Sequence, residues 1–223
     1  KVKTGMMQKL LTRGIGHVTF KKVPWLFGKK IEIPEEWEVT PLEKCVKEII
    51  TYGIVQAGKH VEQGIPYVRT SDMSGEKLTS QKMLRTSEDI ASKFQRSTIR
   101  TGELVFAIRA TVGKVLQVPQ ELDGANLTQG TARISPNEKC DNLFILYFLR
   151  SNDIRKQLVS IIKGTTFPEI TLKSLRKIKI IIPLHSEQQK IATILSNIDS
   201  KITSQEQYKE KLEKLKKSLM QKL

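Results

Sequence analysis

The chain has little that could cross-link it or hold a metal. Its 223 residues include two cysteines and three histidines, and Cys45 and Cys140 form no CxxC pair near a histidine cluster. A structural zinc and a disulfide framework are therefore not expected, and the usage fits a reducing cytoplasm. No apolar run approaches the roughly 20 residues a bilayer requires, and no signal-peptide pattern is present. Aromatic residues make up only 6 %. Basic helices that lie on membranes usually carry aromatic anchors, and the C-terminal stretch offers Tyr208 alone. No membrane partner is expected.

Catalytic signatures are also missing. There is no GxGxxG, no Pro-Pro-aromatic motif of adenine methyltransferases, no HExxH and no Gly-x-Ser-x-Gly. Asp72 with Glu76, and Glu88 with Asp89, read as loop and surface acids, and no acidic cluster precedes a spaced Glu-x-Lys. Gly53-Ile-Val-Gln-Ala-Gly58-Lys59-His60 approaches a phosphate-binding loop, but His60 stands where a Ser or Thr would hold magnesium. A non-catalytic binder with no cofactor or metal of its own is expected.

Positive charge is in excess. Lys and Arg number 38 against 23 Asp and Glu, giving +15 and a pI near 9.8. Such a balance points to a polyanionic partner, and nucleic acid is the class that fits.

Three zones follow along the chain, framed by a repeat. Lys1-Val-Lys-Thr-Gly-Met-Met-Gln-Lys-Leu10 returns as Lys214-Leu-Lys-Lys-Ser-Leu-Met-Gln-Lys-Leu223, identical at six of ten positions. A repeat this distant is a whole domain plus connector. It suggests one period of a tandem duplication, or a half-length form that pairs with a second copy. Residues 1–13 read as the end of a basic helix closed by Gly14 and Gly16, and 14–33 as a basic linker punctuated by Trp25, Leu26 and Phe27. Up to Pro34 eight basic residues face Glu32 alone. Residues 34–183 read as a globular α+β domain. Short β-type runs (66–70, 104–108 and 179–183) alternate with Gly turns, and helices are expected over 141–149, capped by Asp141, and from Thr171.

Residues 184–223 read as one long helix, opened by a Ser186–Gln189 capping box. Ile191, Leu195, Ile198 and Ile202, then Tyr208, Leu212, Leu215 and Leu219, form a heptad seam with a stutter across Gln205. So narrow a seam requires a second long helix, in cis or from a homodimer mate. Ile198→Asp is expected to break that pairing without unfolding 34–183.

Sequence readout needs Arg, Lys, Asn or Gln at base edges, with Ser, Thr and amides on phosphates. The candidates are Arg69, Thr70 and Ser71; Arg109 and Thr111; Asn126 and Gln129; Lys163, Thr165 and Thr166; and Lys59.

Longer stretches resemble one family throughout. Ile33-Pro-Glu-Glu-Trp37, Gly64-Ile-Pro-Tyr-Val-Arg-Thr-Ser-Asp-Met73, Gly102-Glu-Leu-Val-Phe-Ala-Ile-Arg-Ala-Thr-Val-Gly113, Gly164-Thr-Thr-Phe-Pro-Glu-Ile-Thr-Leu-Lys-Ser-Leu175 and Ile180–Leu195 are similar to the DNA-specificity subunits of type I restriction–modification enzymes. The resemblance implies that 1–13 ends one spacer helix, 34–183 is a target-recognition domain and 184–223 is the next spacer. It also implies methyltransferase subunits carrying S-adenosylmethionine, and a restriction subunit using ATP and magnesium. In that division this chain reads one half of a bipartite DNA site. A homodimeric half-length subunit, or the recognition part of a fused endonuclease, stands beside that reading. His185-Ser186 departs from the Pro-Pro or Pro-x usual in the family before the Glu-Gln.

Overall fold

The computed structural model describes residues 2–164 and 166–221, so the candidate Thr165 lies outside the described residues. Helix α1 (Val2–Arg13) leads into an antiparallel hairpin of β1 (Phe20–Pro24) and β2 (Lys30–Pro34). Then come β3 (Glu38–Pro41), β4 (Thr51–Tyr52), β5 (Ile65–Val68), β6 (Arg85–Thr86), α2 (Glu88–Ser92), β7 (Leu104–Ala107), β8 (Val115–Gln117), β9 (Asn126–Leu127) and β10 (Thr131–Ile134). The chain continues through α3 (Asn142–Leu149), α4 (Asn152–Ile161), α5 (Leu172–Arg176), β11 (Lys179–Ile182) and α6 (His185–Met220). This is the expected α+β domain followed by one long helix.

The stretch read as a linker contains the β1–β2 hairpin. Val23, Ile31 and Ile33 share one face, which packs on the core, while Lys22 and Lys30 point outward. Period-two alternation of this kind stabilises a ribbon that has one apolar side to bury.

The central sheet has the order β4-β10-β7-β8 and is antiparallel. Every residue of β7 and β10 is buried, because both faces of the sheet are covered. Leu104 and Phe106 face a core shared with α1, α3, α5 and the first turns of α6. Val105 and Ala107 face a second core formed with Val68, Met73, Leu116, Leu122 and Leu127. Strands covered twice show no polar alternation, hence the continuous Leu-Val-Phe-Ala run. Cys45 and Cys140, distant in sequence, meet as free thiols in the first core. The neighbouring Cys140 and then burial push the Cys45 thiol far above its ordinary range.

Local chemistry sets the helix ends. Asp141 accepts from the Phe144 amide at 2.8 Å, and Thr171 Oγ1 from the Ser174 amide at 3.1 Å, so α3 and α5 start where their caps predict. Helix α4 has no counterpart in the sequence reading. Ser151 caps it, and Ile154 and Leu158, four residues apart, bury its inner face.

The start of α6 corrects the expected capping box. The helix begins at His185 with Leu184 as N-cap, and no side chain caps it. Its first turn is instead anchored by two hydrogen-bonded hubs, the half-buried Glu187 and the buried Gln188. Glu187 accepts from the Ile15 amide at 3.0 Å, Trp37 Nε1 at 2.9 Å, and is bonded to His17 Nε2 at 2.9 Å. Gln188 accepts from the Asp141 amide at 2.8 Å and donates to the Lys139 and Pro183 carbonyls, each at 2.9 Å. Gly14 completes the knot: at φ +66° its added Cβ would lie 2.5 Å from Glu187 Oε1 and 2.6 Å from the Trp37 ring.

The seam along α6 then divides. Ile191 and Leu195 are fully buried in the chain's own core and Ile198 packs against it, so these three are not open to a separate long helix as expected. Their neighbours are α3 and α1, with Lys3 paired to Asp199 and Tyr147 Oη donating to Asp199 at 3.1 Å. From Ile202 onward Tyr208, Leu212, Leu215 and Leu219 are exposed.

Candidate nucleic-acid interface

Four turns are stitched together by backbone hydrogen bonds at one edge of the domain. The Val68 carbonyl, just before Arg69, accepts from the Thr128 amide and Oγ1, both at 3.1 Å, and from Thr131 Oγ1 at 3.3 Å. The Gln129 amide donates to Ile54 at 3.0 Å, and the Gly130 carbonyl accepts from Ile108 at 2.9 Å and Arg109 at 3.3 Å. The Ala110 amide reaches the Pro168 carbonyl at 3.0 Å, while Lys163 and Glu169 exchange two bonds of 2.9 Å. Gly130 allows the close approach, since a Cβ there would sit 3.1 Å from the Thr70 methyl.

The candidates fare differently within this framework. Ser71, Arg109, Thr111, Lys163 and Thr166 are exposed on the joined turns, and Thr70 and Gln129 are half-buried among them. Lys59 is exposed on a separate loop tied to β6, where Thr86 Oγ1 donates to the Ala57 carbonyl at 2.7 Å and the Arg85 amide to His60 Nδ1 at 3.0 Å. Asn126 is 1 % exposed and is corrected to a structural strut. Its amide is bonded to Ser97 Oγ, to the Ala91 carbonyl at 3.3 Å, to Phe94 at 3.4 Å and to the Leu127 amide at 2.8 Å. Residues missed by sequence reading lie on the same edge: Phe167 is 84 % exposed, and Glu169 pairs with Arg109. The Phe-Pro-Glu following Thr165-Thr166 was the available signal.

Arg69 grips Asp72 through Nε at 3.0 Å and Nη2 at 2.8 Å, and this hydrogen bonding holds its guanidinium above its ordinary pKa. Arg109 meets Glu169 at 3.2 Å with both side chains about half exposed, and such a pair contributes at most about 1 kcal/mol. Beside it Ala110 holds φ +58°, a left-handed conformation costing a non-glycine residue roughly 1–2 kcal/mol. Strain of this kind clusters where a loop presents functional groups.

A second charged cluster is internal. Arg133 Nε and Nη2 each meet Glu103 at 2.7 Å, Ser135 Oγ donates to Glu103 at 2.6 Å, and Arg133 also reaches Glu48 at 2.6 Å. Burial pushes the Glu103 carboxyl up, but bonds from Arg133, Ser135 and the Arg100 amide together hold it below its usual range. With its bonding capacity filled from inside the fold, this cluster is structural. Among the described residues no group of three or more His, Cys, Asp or Glu could hold a metal ion, and no helix is long and apolar enough to cross a membrane.

A family model, the type I restriction modification DNA specificity domain, matches residues 34–214. The chain belongs to that family. Among its relatives, the type I restriction enzyme MjaVIII specificity subunit of Methanocaldococcus jannaschii is 32 % identical over 99 % of this chain and 52 % of its own length. The putative MjaX specificity subunit of the same organism is 33 % identical over 99 % of this chain and 49 % of its own length. This chain thus spans about half the length of these relatives. The solved HsdS subunit from Thermoanaerobacter tengcongensis shares the fold, with a TM-score of 0.62 at 16 % identity over 93 % of this chain and 44 % of that one. The match to the specificity-domain family begins at the last residue of β2, so α1 and nearly all of the hairpin lie outside it.

Proposed function

We propose that this chain is a sequence-specific DNA recognition unit of a type I restriction–modification complex, reading one half of a bipartite site. The specificity-domain match over 34–214 carries the reading, because the four joined turns fall within it. Arg109 and Gln129 read base edges, while Ser71, Thr111, Lys163 and Thr166 hold phosphates. The chain is non-catalytic and cytoplasmic. Methyltransferase subunits bring S-adenosylmethionine and flip the target base, and a restriction subunit brings ATP and magnesium. The exposed seam from Ile202 to Leu219 takes a second spacer helix, which fixes the distance between half-sites as protein dimensions do in other two-headed readers.

Selection from a random duplex library tests this, first with the chain alone and then with a cognate methyltransferase subunit. Enrichment of one short half-site supports the reading, and a mirrored pair at fixed spacing adds a homodimer through α6. Sequence-independent binding in both arms sinks it.

A further inference from the structure

The turn of the β1–β2 hairpin gathers several unfavourable features in a few residues. Phe27 holds φ +54° although it is not glycine, and it is 65 % exposed. Trp25 Nε1 is buried without a hydrogen-bond partner. Folding alone gains nothing from an exposed aromatic in a left-handed conformation, and such outliers persist where a segment has a task.

Around this apolar tip the charge is one-sided. Glu32 is bonded to Arg13 at 2.9 Å and lies 3.9 Å from Lys22, and Asp153 pairs with Lys156 at 3.4 Å. Lys29 and Lys30 are exposed and, among the described residues, make no ion pair. The tip, α1 and α4 enclose an open cleft of about 650 Å³, lined by Gln8, Arg13, Trp25, Phe27, Lys30 and Lys156. Helix α4, which carries Lys156, ends at Ile161, two residues before Lys163 of the candidate interface. Lys156 beside the cleft and Lys163 on the joined turns thus flank the C-terminal half of α4.

We propose that the β1–β2 hairpin is a second, sequence-independent DNA contact lying outside the half-site. Lys22, Lys29 and Lys30 hold flanking backbone phosphates, and Leu26 and Phe27 rest against the sugar edges of the adjoining groove. The proposal rests on the DNA-reading role assigned above. DNA is favoured over an acidic protein because the hairpin adjoins a domain assigned above to DNA, on a chain whose net charge is +15. Lysine holds phosphate as a mobile point charge, and backbone phosphates recur along a duplex whatever its sequence. An apolar tip beside cations is also a recurring minor-groove device.

The test is fluorescence anisotropy of the whole chain on two duplexes, one limited to the selected half-site and one extended on both sides, across a salt series. Lys29→Gln with Lys30→Gln is expected to remove about two units of slope from log K against log[salt] on the long duplex. The short duplex and the half-site preference stay unchanged. Phe27→Gly is expected to weaken long-duplex binding about threefold or more while unfolding at the same or a higher urea concentration, since glycine tolerates the conformation. Lys201→Gln with Lys216→Gln on α6 removes equal charge and leaves the slope intact. Equal loss on both duplexes, or the same loss in the α6 control, overturns the proposal. So does unchanged DNA binding with lost capture of the methyltransferase subunit, which would make the hairpin a protein dock. A hairpin-dependent slope without any half-site preference supports the hairpin and overturns the recognition role alone.

Discussion

Arg69 and Arg109 carry the same side chain on adjoining turns and stand in opposite situations. Asp72 clamps the first with two short bonds, while the second makes one half-exposed contact with Glu169. A bidentate base contact is worth about 1–3 kcal/mol, enough to draw Arg109 from a pair worth about 1 kcal/mol or less. Arg109→Ala and Gln129→Ala are therefore expected to flatten the preference for the selected half-site over scrambled DNA while salt-dependent binding persists. A uniform loss on both DNAs in competition titrations would make these residues phosphate grips. Glu103 gives a prediction in pH. Its lowered carboxyl stabilises the fold above the unfolded value of about 4.3, and that contribution is lost as pH falls through the lowered folded value. Glu103→Gln should cost roughly 3–5 kcal/mol at neutral pH, with the gap to the parent narrowing near pH 3; urea unfolding at both pH values reads it. Residue types were legible in the sequence and their surroundings were not. Asn126 and Gln129 look alike as loop amides, yet Ser97 and the carbonyls of Ala91 and Phe94 close around only the first.

At the scale of elements, α6 is two helices in one. Leu195→Ala in the buried half is expected to cost about 2–5 kcal/mol. Leu212→Asp in the exposed half should change chain stability by no more than about 0.5 kcal/mol while abolishing association through the seam, read by light scattering with and without the partner subunit. Ile198→Asp cannot make that separation, because Ile198 packs on the core. The heptad rhythm was legible, but where it divides was not, since α1 and α3 supply the cover from distant sequence. Asp141 announced its helix through a simple cap, and the helix from Thr171 was legible in its short amphipathic pattern. Ser186 did not, because two hydrogen-bonded hubs took over the anchoring of the first turn. Helix α4 escaped notice because its buried Ile154 and Leu158 are spread among charged neighbours.

For the whole molecule, composition and turn chemistry indicated a basic α+β reader, and the structure adds one sheet shared by two cores. The glycines of the near-P-loop show what an isolated motif conceals. Gly53 is required because a Cβ would fall 1.9 Å from the Leu127 carbonyl oxygen, so it accommodates neighbouring backbone. Gly53→Ala is accordingly expected to unfold the chain at lower urea concentration, whether or not nucleotide is added.

The Glu187–Gln188 knot also has a mechanical meaning. Of the 36 residues of α6, those beyond Asp199 project as an overhang of roughly 32 Å. A tilt of about 5° at the root moves the tip by roughly 3 Å, close to one base-pair step of about 3.4 Å. In the proposed spacer role, the stiffness of a few hydrogen bonds around Trp37, His17 and Ile15 therefore sets the tolerance of an arm many times their own size.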